Sequence, residues 1–122
     1  MKLRISAGKV NLVAELRDTP TTQALSAALP FEANAQTWGE EVYFSTPVSV
    51  KLEADAKQVV EPGTVCFWTE GDALALPYGR TPISTDDKPK LANRCNVLGS
   101  IVGDARALAG IKAGAKVRVE KG

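Results

Sequence analysis

Apolar residues alternate with polar ones at both ends of the chain, the period of a half-buried strand. Leu3 and Ile5 share one face of a first strand. Val10, Leu12, Ala14 and Leu16 share one face of a second, with Asn11, Glu15 and Arg17 facing away. Ala7-Gly8 between them supplies a tight turn, so the chain is predicted to open with a β-hairpin. The period then changes. Asp18-Thr19-Pro20 is a helix start, with Thr19 placed to cap free amides and Pro20 suited to the first helical position. Ala24, Leu25, Ala28 and Leu29 follow at helical spacing, and Pro30 stops the run, which predicts a helix over Thr19–Leu29.

Strand character returns from Phe31 to Val50, strongest at Val42-Tyr43-Phe44 and again where Val48 and Val50 alternate with Ser49 and Lys51. Glu53 to Val60 reads as a connection. Glu61-Pro62-Gly63-Thr64 reads as a type II turn. Val65-Cys66-Phe67-Trp68 is a strand apolar on both faces, and Glu70-Gly71-Asp72 turns it into another, Ala73 to Leu76. Tyr78 to Arg94 has no period and carries Gly79, Pro82 and Pro89, which predicts a long structured or flexible loop. Cys95 to Val102 is strand-like. Asp104 caps a short helix ending at Gly110, and Val117 and Val119 face inward on a last strand. About eight strands with one early helix and one short late helix predict a mainly β fold, a barrel closed on itself with the early helix over one opening. No repeat, low-complexity tract or linker interrupts residues 1–122, which are read as one domain.

Composition narrows the chemistry. Fifteen Lys and Arg against fourteen Asp and Glu leave no broad basic field for nucleic acid or an anionic membrane. No apolar run approaches the roughly 20 residues of a membrane span, and the N-terminus lacks a signal-peptide pattern, so a cytoplasmic location is expected. The absence of histidine removes the usual Ser-His-Asp and Cys-His systems and the commonest metal ligand. Cys66 and Cys95 are too few for a disulfide scaffold or a four-cysteine zinc site and are expected to be reduced thiols. No metal and no cofactor are therefore expected. Glu40 and Glu41 are adjacent and point to opposite sides of a strand, a poor acid/base pair. Asp86-Asp87 reads as solvated rather than cation-binding, and Lys88, Lys90 and Arg94 as a small basic edge. The Gly-rich turns lack P-loop or dinucleotide spacing.

The order of elements resembles that of the cyclophilins. Lys9-Val10-Asn11-Leu12 through Asp18-Thr19-Pro20-Thr21-Thr22-Gln23-Ala24-Leu25 is similar to the cyclophilin second strand and first helix. Val97-Leu98-Gly99-Ser100-Ile101-Val102 is similar to a later cyclophilin strand. A compact prokaryotic cyclophilin-like family of unassigned function resembles the chain more fully. The resemblance is carried by Thr37-Trp38-Gly39-Glu40-Glu41-Val42-Tyr43-Phe44-Ser45-Thr46-Pro47-Val48, by Gly79-Arg80-Thr81-Pro82 and by Asn96-Val97-Leu98-Gly99. It implies a cyclophilin-like barrel over essentially the whole chain, and no particular reaction.

The cyclophilin resemblance raises peptidyl-prolyl isomerisation as one function. That reaction needs an apolar pocket and a donor that weakens amide resonance against a barrier of ~18–20 kcal/mol. The arginine that supplies the donor in cyclophilins falls here on Ala33, within Phe31-Glu32-Ala33, and the pocket histidine falls on Cys95. Arg80 or Arg94 would have to act from another direction. The other function is a binding module for an extended peptide or a small apolar molecule with an anionic or amide group, held by aromatic contact and Arg94. Its candidate site is Trp38, Tyr43, Phe44, Phe67, Trp68 and Tyr78, with Arg94 and Asn96 at a polar margin, because aromatics with polar handles suit recognition. In a closed barrel Cys66 and Trp68 oppose Val65 and Phe67, so an apolar outward set needs a cover, which the Tyr78–Arg94 loop is expected to provide. A structural or subunit-pairing role is a third class that the residues leave open.

Overall fold

The computed structural model describes residues 1–122. Ten strands and two helical segments follow in chain order. They are β1 (Lys2–Ala7), β2 (Val10–Leu16), α1 (Pro20–Ala28), β3 (Phe31–Asn34), β4 (Gln36–Thr37), β5 (Glu41–Ser45), β6 (Lys57–Val59), β7 (Thr64–Trp68), β8 (Ala73–Pro77), β9 (Lys90–Ile101), a 3-10 helix (Ala105–Gly110) and β10 (Lys116–Lys121). Every strand pairing is antiparallel. The strands run in the order β3-β10-β1-β2-β9-β7-β8-β5-β4, with β6 added to β9 alone. No helix is long and apolar enough to cross a membrane.

The mainly β reading holds, but the closed barrel of about eight strands does not: the sheet is open and has ten strands. Its two ends are β3 and β4, which the single residue Ala35 separates in the chain. β3 pairs with β10 and β4 with β5, so the ends are joined by covalent chain, not by a ladder. Ala35 at this crossing is fully buried, and its N–H donates to the Ala115 carbonyl at 2.7 Å. The extra strands are short. β4 has two residues and β6 three, below the length at which alternation is readable.

The strand alternation places the core. Leu3, Ile5, Ala14, Val65, Phe67, Leu74, Leu76, Leu98, Val117 and Val119 are buried in one large cluster on the inner face. Leu25 of α1 inserts into the same cluster. Thr19 caps α1 as its residue type predicts: its hydroxyl accepts from the Thr22 N–H at 3.1 Å, and the Thr22 hydroxyl accepts in return from the Thr19 N–H at 2.8 Å. Asp104 likewise caps the 3-10 helix.

A second, smaller cluster lies on the outer face of the same strands. Val60, Cys66, Ala75, Leu91 and Cys95 form it, with Tyr43, Trp68 and Val97 packed against them. The long strand β9 makes this layer possible. Its C-terminal half pairs with β2 and β7, while its first residues run on to pair with β6. The segment expected to be loop up to Arg94 is therefore strand from Lys90 onward. Residues Pro47–Val50, expected as strand, run irregularly after β5 ends at Ser45.

Candidate functional site

Alternation in β5 sends Val42 and Phe44 inward to the main core and Glu41 and Tyr43 outward. Alternation in β7 does the same with Phe67 inward and Cys66 and Trp68 outward. The outward set meets Ala75 from β8 and Leu91, Ala92 and Cys95 from β9. With Trp38 they enclose a cavity of about 290 Å³. Trp38, Tyr43 and Trp68 are half-buried and Ala92 exposed at its rim, and Glu41, Ala75, Leu91 and Cys95 are buried in its wall. Tyr43 and Trp68 meet edge to face, with ring centres 6.3 Å apart and planes at 88°. The Trp68 indole N–H donates to Asn93 Oδ1 at 3.1 Å, which fixes the ring against β9.

The turn before β5 places Trp38 and Glu41. The Trp38 N–H donates to the Glu41 carbonyl at 3.0 Å, and Gly39 between them has φ +60°. A Cβ on Gly39 would stand 2.8 Å from Pro82 Cδ and 2.9 Å from the Arg80 carbonyl, so only glycine fits. The Glu40 N–H donates to that Arg80 carbonyl at 2.9 Å. Residues 37–41 and 79–82, distant in sequence, thus form one packed unit beside the cavity.

The two adjacent glutamates end in opposite environments. Glu40 faces solvent, where Arg106 donates to its Oε2 at 2.9 Å and holds its carboxyl below the ordinary range. Glu41 is only 6% exposed and is the one charged residue type in the cavity wall. Its Oε1 has no hydrogen-bond partner. Burial raises its pKa from 4.5 to about 7. The neighbouring thiols are also held protonated. Burial, then the nearby Glu41 and Glu70 carboxyls, push Cys95 up to about 12, and burial raises Cys66 well above its ordinary value.

The structure brings three of the eight expected residues, Trp38, Tyr43 and Trp68, to this cavity and separates the others from it. Phe44 and Phe67 lie in the main core, because each neighbours a residue that points outward. Phe44 also borders a broader, more polar depression of about 600 Å³ between Glu32, Asn34, Gln36 and Thr46, which Tyr43 and Trp68 share. Tyr78 packs against the main core under the Arg106 guanidinium, 5.7 Å from the ring centre. Arg94 is turned away, with its Nε and Nη2 donating to the Ala56 carbonyl at 3.4 Å. Asn96 is fully buried as a structural bracket. Its Oδ1 accepts from the Glu53 N–H at 2.7 Å, and its Nδ2 donates to Thr21 Oγ1 and the Lys51 carbonyl at 3.0 Å each.

Of the Tyr78–Arg94 segment expected as cover, Leu91 and Ala92 of β9 do line the cavity, and only the 78–89 loop lies outside it. It folds on itself around Ser84, whose Oγ accepts from the N–H groups of Thr81 and Lys90 at 3.0 and 3.1 Å. Ala33 pairs with Val117 on β10 and borders the polar depression, not the cavity. The Arg80 guanidinium donates to the Ser84 carbonyl, so no guanidinium lines the cavity. Cys95, by contrast, is part of its wall. Glu41 and Leu91 were missed. Alternation about Val42 and Phe44 signals the outward placement of Glu41, but nothing local reveals that β9 covers it.

The family profile described as Cyclophilin-like matches residues 1–120. A comparison with curated proteins gives no match. Among solved structures, a hypothetical protein from Archaeoglobus fulgidus, determined in solution, is 41% identical. The match covers 100% of this chain and 95% of that one, with a TM-score of 0.87. McbB, solved in complex with tryptophan, shares the fold at a TM-score of 0.72 and 16% identity. There the match covers 98% of this chain and 44% of McbB. By the profile match and by its identity to the archaeal protein, the chain belongs to the cyclophilin-like family.

Proposed function

We propose that this protein binds a small, mostly apolar ligand in the cavity between β5, β7, β8 and β9. One observation carries the reading: an apolar, aromatic-walled cavity of about 290 Å³ with a single buried carboxylate residue, Glu41, in its lining. Small-molecule sites combine mostly apolar walls with few polar groups, and their volumes begin at roughly 300 Å³. A cavity at that lower bound suits one ring with a short substituent better than an extended peptide. McbB, of which 44% matches this fold, was solved in complex with tryptophan, itself a small aromatic molecule. Binding is favoured over peptidyl-prolyl isomerisation because the cavity offers a carboxyl and no guanidinium donor.

The test is a fragment titration followed by amide chemical shifts in two-dimensional NMR, using small aromatic amines, alcohols and carboxylic acids. Shifts should concentrate on Trp38, Glu41, Tyr43, Trp68, Leu91, Ala92 and Cys95. Shifts that instead gather around Glu32, Asn34 and Thr46, or no shifts at millimolar fragment, would sink the reading.

A further inference from the structure

The walls of the cavity constrain the charge of what enters it. Three aromatic side chains, Trp38, Tyr43 and Trp68, stand at the rim, and the one ionisable oxygen pair inside belongs to Glu41. Aromatic faces carry negative potential and attract organic cations. The Oε1 atom of Glu41 is buried and lacks a donor, so the free protein leaves it one hydrogen bond short. Other charges do not fill that gap. Facing Glu41 are Cys95 on β9 and Cys66 on β7, two thiols that burial holds protonated, and the Tyr43 side chain on its own strand. β8 contributes only Ala75 to the wall. Glu40 points away to Arg106, Arg94 to Ala56, and neither Lys57 nor Lys90 lines the cavity. A ligand carboxylate would meet a second carboxyl with no cation between them.

Resting on the small-ligand reading, we propose that the cavity selects an organic ammonium ion, its N–H donating to the Glu41 carboxylate and its carbon skeleton lying against Trp38, Tyr43 and Trp68. A buried carboxyl must be either protonated or paired. In the free protein burial raises its pKa to about 7, so it is mostly protonated below that pH and mostly ionised above it. The ammonium replaces that proton, so binding releases one proton to solvent below the pKa and none well above it. Affinity for a permanently protonated amine therefore rises with pH and levels off once Glu41 is ionised in the free protein. A ligand that only accepts a hydrogen bond has the opposite dependence, since it needs the protonated carboxyl.

The experiment compares 2-phenylethylamine with its neutral isostere 2-phenylethanol, by NMR titration of the cavity amides between about pH 5.5 and 8.5. The amine should bind about thirtyfold more tightly at the upper limit than at the lower one. The alcohol, whose hydroxyl can accept from the carboxylic acid and donate to the carboxylate but carries no charge, should show no gain of that size. In Glu41→Gln the amine should lose both its advantage and its pH dependence while the alcohol still binds. The wild-type pH profile decides the matter even if that variant folds poorly. Cavity shifts of equal size for amine and alcohol at every pH would overturn the ammonium assignment and leave the small-ligand reading standing. Absence of cavity shifts with either probe would overturn both.

Discussion

Glu41 makes stability itself a reporter of the site. The carboxyl titrates at about 7 in the folded protein against 4.5 ordinarily, because burial disfavours its charged form. A raised acid pKa means that the unfolded chain releases this proton first as pH rises. The folded state is then penalised by about 1.4 kcal/mol for each pH unit between the two values. Below pH 4.5 the penalty is absent. It grows through the window from 4.5 to about 7 and is complete above it, at about 3 kcal/mol. For a domain of this size that corresponds to a fall in Tm of roughly 10–15 °C. Other groups also titrate in this window, so the informative quantity is the difference between the wild type and Glu41→Gln, which has no ionisable group there. Urea unfolding at half-unit pH steps should show the variant gaining about 3 kcal/mol relative to wild type between about pH 4 and 8. Any constant offset from burying an amide leaves that slope untouched. Glu41→Leu should be more stable than wild type at pH 8, because it removes an unpaired buried polar atom in favour of apolar contact. Parallel pH profiles for wild type and Glu41→Gln would refute the argument, since they would mean that water or a donor reaches the carboxyl in the folded state.

Three further outcomes follow from the geometry. Burial pushes the Cys95 thiol up to about 12 and Cys66 higher than normal, so iodoacetamide at pH 8 should label folded Cys95 about a thousandfold more slowly than an ordinary thiol. Rapid labelling read by intact mass would contradict the closed wall. Asn96→Ala leaves the Glu53 N–H and the Lys51 carbonyl without their Asn96 partner, removes one of the two bonds of Thr21 Oγ1, and should cost roughly 2–4 kcal/mol in urea unfolding. A loss below about 1 kcal/mol would show that the bracket is not structural. Gly99→Ala should cost about 3 kcal/mol or more, because a Cβ there would lie 2.0 Å from the Glu15 carbonyl oxygen and 2.8 Å from Leu16 Cα. The neighbouring exposed Ser100→Ala is its control and should be near neutral.

Local chemistry carried most of the framework. The inward faces of β1 and β10 are the alternating Leu3/Ile5 and Val117/Val119, and Thr19 and Asp104 cap the two helical segments where their residue types predict. The failures occur where a non-local pairing overrides local signals. Lys90, Asn93 and Arg94 are polar and follow Pro89, so they look like loop, yet β6 pairs with this stretch and makes it strand. Closure by a ladder fails for a similar reason. Phe31 to Thr37 contains no residue type that marks a change of partner, while Ala35 hands the chain from one end of the sheet to the other.

The candidate site divides along the same line. Tyr43 and Trp68 are apolar-bodied residues on strands whose inward positions are already taken by Phe44 and Phe67, so an outward aromatic surface follows from alternation alone. Grouping the aromatics by type and not by strand face put Phe44, Phe67 and Tyr78 with them, and none of these three lines the cavity. Glu41 failed the opposite way. Judged as half of a carboxylate pair with Glu40, it has no chemistry, because the two point apart. Judged by its strand face, it sits beside Tyr43 on a surface that β9 later covers, and covering a carboxylate without a donor is unfavourable. An apolar residue at position 41 would fit the outer cluster at lower cost, so packing does not account for the carboxyl. The proposed ligand, by supplying the missing donor, would account for it.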